Sequence, residues 1–195
     1  VNAQVFELLM GRVDMNIPQN SYVDRVCGWI TPKLAKVSNG WTCHCVGIIF
    51  KDSHNWLAGG DFSQKSVGRL FYIEWAENGV YHEINVSGLI IDHPYFVDVY
   101  RFTGGDVGSL GMKEWGLTIW DEDNSILTVR DIYFPFNAPI SCIAEAASTS
   151  VYNYINVSFS QLRYRIYNPD ADPPGVFECY WDGVIYPCNI ICDFP

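Results

Sequence analysis

Tight turns set between strand-forming runs constrain this chain more than any other feature. Residues 71–75 and 80–84 flank Glu77-Asn78-Gly79, and Asn-Gly supplies the two positive-φ residues that the commonest two-residue hairpin requires. Residues 115–120 and 126–132 flank the polar stretch 121–125 in the same way. A third hairpin is written by 177–181, Asp182-Gly183 and 184–187. Hairpins join antiparallel neighbours, so the pattern predicts an antiparallel sheet. Further β-rich runs cover 12–17, 42–50, 95–102 and 157–167, each bounded by Gly, Pro, Asn or Asp. Only 140–150 has a helix-compatible composition, and its Ala-rich centre is too short to nucleate a helix well.

Many short strands in 195 residues favour two packed sheets over one open sheet with exposed edges. The expected fold is all-β, a two-sheet antiparallel β-sandwich of jelly-roll, concanavalin-like type. With 49% hydrophobic and 17% charged residues the chain can bury a core, which excludes disorder and coiled coil. No apolar run is long enough for a membrane-spanning helix. Asn168-Pro169-Asp170-Ala171-Asp172-Pro173-Pro174-Gly175 reads as a linker. It divides a sandwich domain, 1–167, from a Pro-rich linker and Cys-rich C-terminal hairpin, 168–195, that packs back on it because a lone hairpin is marginal in water.

Twelve basic against 22 acidic residues give a net charge of -10. A nucleic-acid backbone is repelled by such a chain unless cations cluster, and Arg163 with Arg165 is only an isolated pair. Seven cysteines, at 27, 43, 45, 142, 179, 188 and 192, leave at least one unpaired within a monomer. In an oxidising compartment that residue would suit an intermolecular bond and a homo-oligomer. Disulfides between Cys179 or Cys188 and Cys27, Cys43 or Cys142 are all allowed by sequence. Sequons at Asn85 and Asn156, and a first residue Val1 in place of Met, read as a processed, secreted glycoprotein. Cys43-His44-Cys45 offers possible metal ligands, yet on a strand the cysteines point to one face and the histidine to the other, so no metal site is expected. No cofactor is implied either.

The order of several segments resembles the glutamic peptidases, the eqolisins, and more loosely the neprosin family. Those segments are Met15-Asn16-Ile17-Pro18, Cys45-Val46-Gly47-Ile48, Leu57-Ala58-Gly59-Gly60-Asp61-Phe62, Phe71-Tyr72-Ile73-Glu74-Trp75 and Ile143-Ala144-Glu145-Ala146. The resemblance runs over about residues 10–165 and implies a sandwich of two antiparallel sheets. It also implies acid proteolysis, in which a glutamate acts as general base toward water and a glutamine or second glutamate steadies the developing oxyanion. The matching base is Glu145. At the position matched to the glutamine, two residues before Gly59, stands Leu57, which can neither donate nor accept. Cys45 replaces a tryptophan and Ile49 an acidic residue, so the resemblance implies a degenerate dyad.

Beside that resemblance, Glu145 lies in a small, apolar stretch where an inward carboxylate could serve as acid or base. Glu74 and Asp61 are the candidate second acids, the latter after the Gly59-Gly60 pair. Trp56 and Trp75, with Leu57, would line the substrate cleft, since seven tryptophans can supply a stacking surface for peptide or sugar. The favoured expectation is a binding or assembly subunit without efficient catalysis, with peptide, protein or glycan as partner. An active acid endopeptidase and a carbohydrate-binding module are the alternatives.

Overall fold

A computed structural model describes residues 8–16, 22–50, 54–102, 112–135, 140–150, 152–168, 175–180 and 188–192. These form thirteen strands: β1 (Leu8–Asn16), β2 (Tyr22–Lys36), β3 (Trp41–Phe50), β4 (Trp56–Gln64), β5 (Gly68–Glu77), β6 (Val80–Val86), β7 (Tyr95–Arg101), β8 (Met112–Asp121), β9 (Asn124–Pro135), β10 (Ile140–Ser148), β11 (Tyr154–Asn168), β12 (Gly175–Tyr180) and β13 (Cys188–Cys192). They build two antiparallel sheets, one ordered β1-β10-β3-β4-β5-β6 and the other β12-β11-β2-β7-β8-β9, with β13 also paired to β11. The fold is a β-sandwich. Among the described residues no helix is long and apolar enough to cross a membrane.

The hairpins at 78–79 and 122–123 form where the turn chemistry places them. Asn78 and Gly79 both take positive φ, 52° and 81°, as a type I′ turn demands. The closely opposed register that follows runs from Glu77↔Val80 to Phe71↔Val86. The third expected hairpin differs. Its turn lies at 181–187, outside the described residues, and the strands around it, β12 and β13, pair with the two halves of β11 at Arg163–Asn168 and Ile155–Phe159. The segment with helix-compatible composition is strand β10, held between β1 and β3 over its whole length. Small residues pack a central strand as readily as a helix, and pairing on both sides outweighs local propensity.

The core lies between the sheets. From the six-stranded sheet it takes Val46, Ile48, Leu57, Phe71, Ile73, Cys142, Ala144 and Ala146. From the other sheet come Val26, Ile30, Val97, Val99, Leu117, Ile119, Phe134, Phe159 and Leu162. Gly59 faces Leu117 of β8: a Cβ there would stand 2.8 Å from Leu117 Cδ2, so a larger residue would require the leucine side chain to shift.

A second, smaller apolar cluster sits on the opposite, outer face of the six-stranded sheet. It contains Cys43, Cys45, Ala58, Tyr72, Ile143 and Ala147, with Trp41, Ile49 and Phe62 packed against it. Strand pleat sends alternate residues to these two faces, so each of β3, β4, β5 and β10 serves both clusters.

Candidate functional site: the outer face of the six-stranded sheet

The outer face carries a cavity of about 900 Å³. Its residues fall into cross-strand rows fixed by the register. One row runs Glu145, Cys45, Gly60, Tyr72. The next runs Ile143, Gly47, Ala58, Glu74, Glu83, and a third brings together Ile49, Trp56, Ala76 and Tyr81. Small residues in the middle of the sheet leave the hollow, and larger ones at either side wall it.

Two hydrogen-bonded corners hold the walls. At one end Asn153 accepts from the Ser38 and Asn39 amides at 2.8 and 3.2 Å, and its amide nitrogen donates to the Asn39 and Trp41 carbonyls and to Ser148 Oγ. Thr149 Oγ1 accepts from the Trp41 amide at 2.8 Å. This network fixes Trp41 beside the end of β10 that carries Glu145. At the other end Asn55 Oδ1 accepts from the Asn78 amide at 2.9 Å, and the His54 carbonyl accepts from the Gly79 amide at 2.8 Å. The β3–β4 loop is thereby tied to the β5–β6 turn, which places Trp56 against Tyr81 with ring centroids 5.9 Å apart.

The polar lining is mostly acidic. Glu145 stands on one wall and Glu74 and Glu83 on the other, with no lysine, arginine, histidine, asparagine or glutamine among the described residues that line the cavity. Glu74 and Glu83 are directly opposed across β5 and β6, an arrangement in which like charges repel. The Tyr81 hydroxyl lies between them, 2.7 Å from Glu83 Oε2 and 3.1 Å from Glu74 Oε2. Partial burial, the hydrogen bond to Glu83 and the nearby charge of Glu74 push the Tyr81 phenol up, so it stays a donor.

The floor is sealed. Burial pushes the Cys45 thiol well up, reinforced by the charge of Glu145 and then of Cys43 and Glu74. Tyr72 is 2% exposed, and its buried hydroxyl lies against the Cys43 and Cys45 thiols. Burial raises its phenol, with Cys43, Cys45 and Glu74 as ionisable neighbours.

Of the residues singled out by sequence, Glu145, Glu74 and Trp56 line this cavity together. Leu57, Asp61 and Trp75 do not. Leu57 is fully buried in the inter-sheet core, and the outward residue beside it is Ala58. Trp75 packs against the core, stacks on His82 at 5.0 Å and donates to Glu77 at 3.0 Å. Asp61 is buried between the sheets: it pairs with His44 Nδ1 at 2.9 Å and with Arg69 Nε at 2.9 Å, while Arg69 also donates to the Lys33 carbonyl on β2. Burial alone would push the Asp61 carboxyl up, but His44 and Arg69 outweigh it and hold it below the usual range. Asp61 is a structural anion of the core, not a second acid of the cleft.

Trp41, one of the seven tryptophans that could supply a stacking surface, also lines the cavity, and Phe62, Tyr72, Tyr81 and Glu83 join it without having been singled out by sequence. For two of them the signal was present: the Asn78-Gly79 turn fixes the register that sets Tyr81 opposite Ala76 and Glu83 opposite Glu74. Cys43 and Cys45 face the cavity while His44 faces the core, the split that strand alternation requires. Among the described residues no group of three His, Cys, Asp or Glu is placed to hold a metal ion. Cys27, Cys43, Cys45 and Cys142 are buried thiols outside any disulfide, so the bridges allowed by sequence from the tail to Cys27, Cys43 or Cys142 are not formed. Asn85 is exposed on β6, its side chain 3.1 Å from Glu83. Asn156 lies on β11 beside β2 and β13 with its Oδ1 buried.

No known family profile matches the chain, and no curated protein matches it. Among solved structures it is similar to scytalido-glutamic peptidase with a peptide-based transition-state analog, at TM-score 0.53 and 13% identity over 95% of this chain and 97% of that one. This is a distant likeness of fold. A carbohydrate-binding module, CBM66 from Bacillus subtilis, gives TM-score 0.40 at 12% identity over 78% of this chain and 80% of that one. A pentraxin from Limulus polyphemus gives 0.45 at 9% identity over 95% and 90%. The structural agreement with these two is too loose to carry an argument.

Proposed function

We propose that the outer face of the six-stranded sheet binds an extended polypeptide without hydrolysing it efficiently. One observation carries this reading: the cavity is of ligand size and aromatic-walled, yet its described lining beside Glu145 is poor in neutral donors that could steady an oxyanion. Across β3 and β4 the row neighbours of Glu145 are Cys45 and Gly60, with Ala58 the next outward residue toward Glu74, and on β1 Glu145 is paired in register with Arg12. The Tyr81 hydroxyl is engaged by carboxylates. Tyr72 is the remaining neutral donor. Losing an oxyanion donor costs about 10²–10³ in rate, and a carboxyl group lining the cavity opposes new negative charge unless it is protonated. The reading of a degenerate dyad thus passes from Leu57 to the outer face itself. The peptidase of similar fold, described with a peptide-based analog, supports polypeptide as the ligand class.

The experiment is retention of a degenerate decapeptide library on the immobilised protein, set against a glycan panel. Retained peptides support the reading, and retention of glycans alone replaces it with carbohydrate binding at Trp41 and Trp56. An acid endopeptidase remains a second reading because Glu145 does face the cavity. Cleavage of denatured casein in the range of roughly pH 2–5, where carboxyl groups exchange protons, should be negligible for the wild type. Cleavage that disappears in Glu145→Gln would establish that second reading. Export belongs to the same proposal. In a secreted preparation Asn85, exposed at the cavity rim, should carry the glycan, so Asn85→Gln should abolish the shift produced by endoglycosidase.

A further inference from the structure

The end strand of a sheet presents backbone groups with no neighbour, and proteins blunt such edges with bulges, prolines, lysines or short length. The ladder of β1 shifts between Leu9 and Gly11. β9 pairs with β8 through two register shifts, holds Asp131 at positive φ and ends on Pro135. β12 and β13 are six and five residues long. β6, by contrast, ends the six-stranded sheet with an unbroken register against β5 and without proline, glycine or lysine. Its two-residue turn makes Glu77 and Val80 a hydrogen-bonded pair, and such pairs alternate along an antiparallel ladder. The N–H and C=O groups of Tyr81, Glu83 and Asn85 therefore point away from β5. Among the described residues no other backbone segment pairs with them.

The core is open on the same side. The partly buried hydrophobic residues packed against it all come from β5, β6, β9 and the segment just after β6, Ile84, Val86, Leu127 and Val129 among them. A strand added to β6 would lay every second side chain over Ile84 and Val86 and bury them further.

We propose that this strand is β6 of a second copy of the chain, antiparallel about a two-fold axis at Ile84, which joins two six-stranded sheets into one. The proposal stands whatever the cavity binds. Hydrogen-bonded pairs across the seam must join residues drawn from 81, 83 and 85. Setting Glu83 against Glu83 of the second copy opposes like charges. Setting Tyr81 against Glu83 brings the two His82 rings together on the core side. Setting Glu83 against Asn85 places a carboxylate opposite an amide donor at both ends of the seam, and Ile84 meets Ile84 of the second copy over the open core. Tyr81 and Glu83 line the cavity, so both cavities come to lie on one continuous face. Asn85 shares that face, and a glycan on it rises from the sheet and leaves the backbone seam clear. The seam is short beside the roughly 1,200–2,000 Å² of a stable complex, and a net charge of -10 on each copy opposes association. The dimer is therefore reversible and is strengthened by salt, which screens that repulsion.

The test is sedimentation velocity from micromolar to near-millimolar protein, at low and at high salt. It compares wild type with Asn85→Pro, whose lost N–H faces outward and leaves the β5 ladder whole, each first checked by circular dichroism to be folded. The expected result is a wild-type dimer that grows with concentration and with salt, and a dissociation constant at least about tenfold higher in Asn85→Pro. Mild oxidation then reads the register. Ile84→Cys should give a covalent dimer beyond the wild-type background, because directly opposed residues of a non-hydrogen-bonded pair have Cα atoms about 4.5 Å apart, within disulfide reach. Glu83→Cys should not. This pair of variants decides the matter should Asn85→Pro fail to fold. A wild type that stays monomeric throughout, a dimer indifferent to Asn85→Pro, or cross-linking of Glu83→Cys in place of Ile84→Cys would each overturn the proposal.

Discussion

The two faces of the six-stranded sheet use the same strands to opposite ends. On the inner face the charged groups are paired with one another: Asp61 meets His44 and Arg69, and Arg69 in turn ties β5 to the carbonyl of Lys33 on β2. On the outer face, one residue away along each strand, Glu145, Glu74 and Glu83 converge on a hollow with no cationic residue in its described lining. A buried charge must be paired in place to be tolerated, whereas a charge at a cavity wall can keep water or a ligand as its partner. The inner ions belong to the fold, and the outer ones are those a ligand in the proposed site would meet.

The sharpest break of that contrast is Asp61→Ala, which strands His44 and Arg69 in the core. Urea denaturation should show a loss of about 3–5 kcal/mol. The same residue sets an acid limit. Its carboxyl titrates below the usual 3.8 when folded, so the stability it contributes is fully present above that value and is lost as pH falls through the lowered one. Denaturation midpoints measured against pH should therefore hold down to about 3.8 and then decline, and Asp61→Asn should lack that acid-side decline.

The next largest effect separates two adjacent residues. Leu57→Ala should cost about 2–5 kcal/mol by opening the core and leave peptide retention by the folded protein intact. Ala58→Leu should change stability by about 1 kcal/mol or less and abolish retention, because its side chain enters the hollow. Thiol chemistry follows: buried Cys45 and Cys142, both pushed above the ordinary thiol range, should react with iodoacetamide at neutral pH only on unfolding, read by mass spectrometry. The smallest effect is Glu83→Gln, on an exposed edge strand, which should leave the unfolding midpoint within about 0.5 kcal/mol of wild type.

The same contrast shows what the sequence could convey. The all-β class and the hairpins at 78–79 and 122–123 were legible because turn chemistry is local. The pairing of Glu74 with Glu83 was legible in principle, since a two-residue turn dictates the register beyond it. Strand parity was not. β4 reads Trp-Leu-Ala-Gly-Gly-Asp-Phe and is buried on nearly every residue, so no polar alternation says whether Leu57 or Ala58 faces outward, and a shift of one residue exchanges the faces. Asp61 read as a second acid because its partners, His44 and Arg69, come from neighbouring strands and leave no local signal. β10 read as helix-compatible because Ala144, Ala146 and Ala147 are small to suit close packing, which composition alone does not distinguish from helix propensity.

The most direct test of the account is a heteronuclear NMR titration of the protein with a peptide selected from the library, following the tryptophan indole N–H signals. Trp41 and Trp56 line the outer cavity, whereas Trp75 and Trp115 pack with the core. The account predicts that the Trp41 and Trp56 signals move as peptide is added and that those of Trp75 and Trp115 stay in place. Movement of Trp75 and Trp115 with Trp41 and Trp56 unmoved would contradict it.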